Sequence, residues 1–444
     1  MKYYNILKLL FLLFCLSKMV NAEITQITFD NRNHETGIFN AWSPDDKWIV
    51  YGCGPNNLND IIEKVNVETH KTVTLYKING QNEFGPGCGT PSYCPSKNKV
   101  VFIHGPLNAN QQRKYEFWRR SAAVIEEPDY NKPIFIDARD VTVPFTVGAL
   151  RGGSHCHEFS NDGDWIAFTY NDMILAQKDE ALNLRTIGVS HKLKKINVDK
   201  DNNSENFDGE WFSVLLVNVV PNPSPGSDEI SRAYENCWVG TKGYKDKGKW
   251  QRAIAFIGKT LDVKGKELME VYIVDVPEDI QKVANGPLQG TENSMPAPPL
   301  GANCRRLTHT EKNKYPGLSI EPRFWLRSSN NGDKIFFLAR DDNGINQVYY
   351  VSPYGGKINQ ITHQSTNVMS TVSISSDDKT ICYLCDGSVF ISELKTNKSF
   401  RVTGKSDMPL SNPIWSHNGL SICFCMIVSG KNQIFITDLE KKHE

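Results

Sequence analysis

Trp42-Ser43-Pro44-Asp45-Asp46-Lys47-Trp48-Ile49-Val50-Tyr51 reads as a tight turn feeding a strand. Ser, Pro and Asp supply the side-chain-to-backbone bonds and the preset φ that a turn needs. The aromatic and β-branched residues behind it suit a sheet covered on both faces. The order recurs as Cys94-Pro95-Ser96-Lys97-Asn98 before Val100–Ile103, and as Ser160-Asn161-Asp162-Gly163 before Trp165–Phe168. Later copies are Ser329-Asn330-Asn331-Gly332, Ser375-Ser376-Asp377-Asp378 and Ser416-His417-Asn418-Gly419. From Ser329 to Ser375 to Ser416 the spacing is roughly 40 to 45 residues, the period of a four-stranded propeller blade.

Six turns are visible, and the interval from Ser160 to Ser329 is too long for one blade. Ala253–Ile257 and Val271–Val276 inside it read as the middle strands of another. The expectation is therefore an all-β, seven-bladed β-propeller, with six blades if that interval is an insertion. Stretches near 108–140, 178–210 and 284–303 read as loop insertions; the last is rich in Pro and Gly. Blades end in an apolar-Thr pair, as in Leu307-Thr308, Ile361-Thr362 and Val402-Thr403. Ile27-Thr28 is a spare copy near the start, and the last blade stops one strand short. Residues 24–29 are expected to pair with strand 433–439 and close the ring, which removes an exposed sheet edge.

The bulk numbers agree with a globular chain. It has 444 residues, 39% hydrophobic and 23% charged, with 50 basic and 50 acidic residues. No basic excess points to nucleic acid. Lys2 and Lys8, the apolar Leu9–Leu16 and the closing Val20-Asn21-Ala22 have the order of a cleavable secretory signal over residues 1–22. That predicts a periplasmic or secreted protein, with residues 23–444 a single propeller domain and no span in the mature chain. An oxidising compartment permits disulfides, and Cys88 with Cys94 is the nearest local pair. Cys382, Cys385, Cys423 and Cys425 lie in apolar strands, where Cys more often acts as a small hydrophobe than as a zinc ligand.

These repeats resemble those of the TolB-like propellers. More closely, the chain is similar to the bacterial YidR family of uncharacterised propeller proteins. The matching segments include Gln26–Phe29 with Asn33-His34, Leu150–His157, Phe168–Asp172, Gly226–Tyr234, Met295–Pro299 and Tyr315–Leu318 through Trp325–Ser329. The resemblance implies the fold and no particular reaction. It also implies a ligand face formed by the loops that lead into each inner strand. His34, Glu83, His155, His157, His309, Glu321, Arg323 and His363 fall in those loops.

His155 and His157 alternate to one side of an extended strand, with Cys156 and Glu158 on the other. Two imidazoles on one face would suit a divalent metal (Mn, Zn or Ca), completed by His34, His309, His363 or Glu321. A somewhat similar arrangement occurs in the oligogalacturonate lyase propellers. The plainer alternative is a pair of hydrogen-bonded structural histidines. Arg151-Gly152-Gly153-Ser154 is either an anion-binding nest or a glycine-permitted sharp turn. Arg323 beside Trp325 would clamp a carboxylate or stack on a sugar, or pair with Glu321. Ser227-Asp228-Glu229 has the form of a helix N-cap before Ile230–Tyr234. A propeller-linked serine peptidase is excluded by the lack of Gly-x-Ser-x-Gly.

Two readings stay open. One is an exported module binding a protein partner or a carbohydrate at His34, Arg151, His155, His157, Glu321 and Arg323. The other is a metal-dependent lyase or hydrolase of acidic sugars. There the metal would hold the substrate carboxylate, Arg323 would neutralise charge, and a histidine would abstract the proton.

Overall fold

The computed structural model describes residues 22–54, 59–200 and 205–439. The leader expected over residues 1–22 lies outside these, apart from Ala22. The described chain forms seven four-stranded antiparallel sheets, arranged as the blades of a β-propeller. Blades 1 to 6 occupy residues 33–77, 88–135, 152–215, 232–306, 327–360 and 373–401 in chain order. Blade 7 takes three strands from residues 410–438, and its fourth is Ile24–Gln26. The long interval thus holds a complete blade 4, with Ala253–Leu261 and Glu267–Asp275 as its middle strands. No described helix is long and apolar enough to cross a membrane.

The turn serine acts as a clamp. Ser43, Ser160, Ser329, Ser375 and Ser416 each accept the backbone N–H five residues on through Oγ, at 3.0–3.1 Å. In four of them the hydroxyl donates to the Asp or Asn two residues on. The apolar-Thr pair is a second clamp. Thr308, Thr362 and Thr403 each accept the N–H of a neighbouring-strand residue: Val271, Val348 and Val389. The apolar residue before each Thr donates its own N–H to the same residue's carbonyl.

The N-terminal segment repeats this pattern on blade 7. Ile27 N donates to Ile434 O at 2.9 Å, and Thr28 Oγ1 accepts Ile434 N at 2.8 Å. Ile24, Thr25 and Gln26 lie opposite Thr437, Ile436 and Phe435. On the turn side, Asp46 of blade 1 accepts the N–H groups of His417 and Asn418 of blade 7. Asp378 of blade 6 does the same for Asn330 and Asn331 of blade 5. The seam between last and first blades thus carries the same turn contact as that between blades 5 and 6.

The apolar core lies between blades. Trp42, Ile49 and Tyr51 of blade 1 pack with Cys423, Cys425 and Ile434 of blade 7. Cys382 and Leu384 of blade 6 pack with Trp415 and Phe424 of blade 7. The ten cysteines among the described residues are all free and all lie in strands, eight of them buried as packing groups, so Cys88 and Cys94 form no bridge. Three local expectations need correction. The stretch 108–140 contains the strands Ser121–Glu126 and Ile134–Phe135, and 178–210 contains Arg185–His191. Their few apolar residues are set among polar ones. Ser227-Asp228-Glu229 caps no helix: it is a turn ahead of the strand Arg232–Trp238, whose alternation is interrupted by a bulge.

Candidate ligand site on the propeller axis

The inner strands carry a repeated distortion. The register of blades 2, 3, 4 and 7 shifts at a bulge. There Thr90, Cys156, Glu235 and Asn412 adopt φ of 51°, 52°, 52° and 51°. Left-handed backbone is costly for residues with a Cβ, Thr above all, and a bulge re-aims side chains. Thr90, Cys156 and Asn412 border one cavity of about 990 Å³ on the axis. Arg327 of blade 5 donates to Ile38 O of blade 1, and its guanidinium lies over Phe39. A second pocket of about 560 Å³ shares Phe117, Arg120 and Asn183 with the first.

The bulge decides the fate of the two histidines. With Cys156 left-handed, the simple alternation of residues 155–158 is lost. His155 borders the cavity, whereas His157 does not. His155 Nε2 meets Asn171 Oδ1 at 3.1 Å, and the same oxygen accepts Arg185 Nε at 2.9 Å. That geometry makes His155 a donor at Nε2 and leaves its Nδ1 as an acceptor without a partner among the described residues. Burial, then the charges of Arg185 and Arg120, holds His155 well below the usual imidazole range. It is neutral at physiological pH.

His157 is a structural residue. Its Nε2 donates to Ser154 Oγ at 2.8 Å, and Ser154 donates to Asp137 Oδ2 at 2.6 Å. Asp137 also accepts Ala122 N at 2.7 Å. The trio has the composition of a hydrolytic triad, but the imidazole donates to the serine and all three are closed off from solvent. Burial pulls His157 down to about 3 and pushes Asp137 up to about 6. The trio pins blade 2 to the inner strand of blade 3.

The other candidates scatter. His34 is buried, with Nδ1 at 3.2 Å from Asn432 O and Nε2 at 3.4 Å from Asp30. His309 and His363 are exposed beyond the outer strands of blades 4 and 5. No three His, Cys, Asp or Glu side chains among the described residues are grouped to hold a metal. The set His155, His157, His34, His309 and His363 therefore does not fit a metal ion, because outer-strand ends lie at the rim and inner strands at the axis.

Arg151 is buried and spent within the fold. Its guanidinium donates to Asp172 Oδ2 at 2.8 Å, to Ser294 O at 2.6 Å and to Thr291 O, tying the 284–303 insertion to blade 3. Gly152 and Gly153 form no nest or turn, since both lie in the strand opposite Asp172 and Asn171. They are glycines because a Cβ would meet Asn171 O at 2.1 Å and Phe117 O at 2.0 Å. Glu321 is exposed, and only its backbone carbonyl is engaged, by Ser319 and Asn346.

Arg323 does reach the cavity. It lies 4.4 Å from the Trp325 ring, and it pairs with Glu235 at 2.7 Å rather than with Glu321. Beside it stand three groups that the sequence reading missed: Arg120, Arg185 and Arg232. They come from blades 2, 3 and 4, with no spacing in common. Phe117 stands among them, its ring 4.8 Å from the Arg120 guanidinium and 5.5 Å from that of Arg185.

A family model described as a protein of unknown function, DUF3748, matches residues 87–206. The curated protein YidR of Escherichia coli (strain K12), described as uncharacterized, is 41% identical over 351 residues, 78% of this chain and 80% of its own length. Among solved structures, an oligogalacturonate lyase in complex with manganese aligns with a TM-score of 0.58 at 10% identity, over 95% of this chain and 94% of its own. The oligogalacturonate lyase of Vibrio parahaemolyticus gives 0.53 at 10% identity, over 95% of each chain. At such identity these two share the fold.

Proposed function

The chain belongs to the YidR family, and on that premise we propose that it is an exported binding module whose ligand occupies the axial cavity. The observation that carries this reading is the cavity itself. It has the size of a small-molecule site, stands at the convergence of five blades, and is bordered by strained backbone and unpaired polar groups. Export rests on the charged, apolar and small-residue order of residues 1–22. The mature protein would be one propeller domain, acting in the periplasm or outside the cell.

A screen of sugars and small acids by thermal shift tests the site. Glu35 is exposed at the cavity border, so Glu35→Trp places an indole at its mouth. Ligands that stabilise the wild type should lose their effect in this variant, by mass action. Hits indifferent to Glu35→Trp would put binding elsewhere and overturn the proposal.

The second reading, a metal-dependent enzyme acting on acidic sugars, draws on the manganese-bound lyase of the same fold. The scattered histidines weigh against it here. Elemental analysis after manganese or zinc loading checks it: a stoichiometric ion lost in His155→Ala would favour the enzyme over the binding module.

A further inference from the structure

Taking the axial cavity as the binding site, as proposed above, we infer that its ligand is a multivalent anion bearing carboxylate or phosphate groups, received by Arg120, Arg185 and Arg232.

Counter-charge at the cavity falls short of its arginines. Elsewhere the fold neutralises its buried arginines. Arg119 and Arg139 share Glu205, Arg151 meets Asp172, and Arg306 meets Glu270 and Glu311. At the cavity this stops. Among the described residues Arg120, Arg185 and Arg232 have no ion pair, and only Arg323 beside them has one. Arg120 Nε is shielded from solvent and has no acceptor. Arg185 spends Nε on Asn171 and is otherwise unbonded. Arg120 and Arg185 are half-buried and Arg232 is exposed at the cavity border; a cation drawn out of water without a partner is costly, so gathering them gains only if something else completes them.

The three are held in place without being neutralised. Arg120 lies 4.8 Å from the rings of both Tyr115 and Phe117, and Arg232 lies 4.7 Å from Tyr234. Aromatic faces orient a guanidinium and leave its N–H fork free, and that fork matches carboxylate and phosphate geometry. The mutual strain is visible at Arg185, which burial and the charge of Arg232 hold down to about 10. Opposing charge at the cavity is sparse. Glu235 pairs with Arg323 and lies near Arg185 and Arg232 without an ion pair to either, Glu267 is taken by Lys259, and Glu35 is contributed by blade 1. Three open guanidiniums from three blades call for more than one negative charge on one ligand.

The test uses citrate and pyrophosphate as probes on the intact mature protein, with sodium chloride matching ionic strength. The comparison is with Arg185→Gln/Arg232→Gln. Millimolar citrate or pyrophosphate should raise the wild-type Tm by several degrees, with the apparent affinity weakened about tenfold or more in the double variant. Without probe the double variant should be no less stable than the wild type, since neither removed charge has an ion pair and the two repel each other. A response to citrate alone assigns carboxylate chemistry, and one to pyrophosphate alone assigns phosphate. Equal responses in wild type and variant, or wild-type shifts no larger than with sodium chloride, overturn the inference. If neutral sugars then still stabilise in a Glu35→Trp-sensitive way, the cavity remains a binding site and only its charge preference is wrong.

Discussion

His157 shows how a single side chain converts burial into pH dependence. Its folded pKa, about 3, lies below the ordinary imidazole value of 6.5. The folded state therefore binds this proton less well than the unfolded state. Its contribution to stability is complete above about pH 6.5 and is lost as pH falls toward 3. Asp137, raised to about 6, works in the opposite direction: it favours the protonated fold and costs stability as pH rises through that value. Comparing the wild type with His157→Gln isolates the first effect. Between pH 7.5 and pH 5 the wild type should lose about 2 kcal/mol relative to the variant. Denaturant titrations at the two pH values measure this, and parallel curves would show that His157 is not buried neutral.

At the scale of elements, the apolar-Thr pair is a transferable clamp. Thr28→Val keeps the shape and removes the acceptor of Ile434 N. Thr403→Val does the same to Val389 N inside blade 6. A buried amide left without an acceptor costs roughly 1–3 kcal/mol. Both variants should fall in this range by urea unfolding. A silent Thr28→Val beside a costly Thr403→Val would mean that the N-terminal strand adds little to blade 7. These elements were the most legible part of the sequence, because serine turns and threonine clamps are local chemistry. The strands at Ser121–Glu126 and Arg185–His191 were hidden for the converse reason: one has only four apolar residues and the other only Ile187 and Val189 among polar ones and glycine, so pairing to neighbours defines them.

At the scale of the whole molecule the ring has no free end. Ile24–Gln26 covers the outer edge of Lys431–Asp438, and Asp46 ties the turns of blades 1 and 7. Beginning the chain at Asp30 would expose that edge and remove Ile27 from the core between those blades. The expected outcome is a single cooperative transition at lower temperature, with self-association through the open edge. Calorimetry and size-exclusion chromatography read both. A monomer with an unchanged Tm would contradict a closing role for this strand.

The sequence by itself determined the blade count, the spare N-terminal strand and the clamps that build each sheet, since these depend on residues a few positions apart or on a repeated period. It also brought the reading to the right strand, Gly152–Phe159, and to Arg323. Which side chains meet was decided only by the tertiary structure. One left-handed residue, Cys156, breaks the alternation that put His155 and His157 together. Ring closure then carries His309 and His363 to the rim, while Arg120, Arg185 and Arg232 come from three blades to one wall of the axis. Convergence of that kind depends on how blades are turned about a common axis, and no spacing along the chain encodes it.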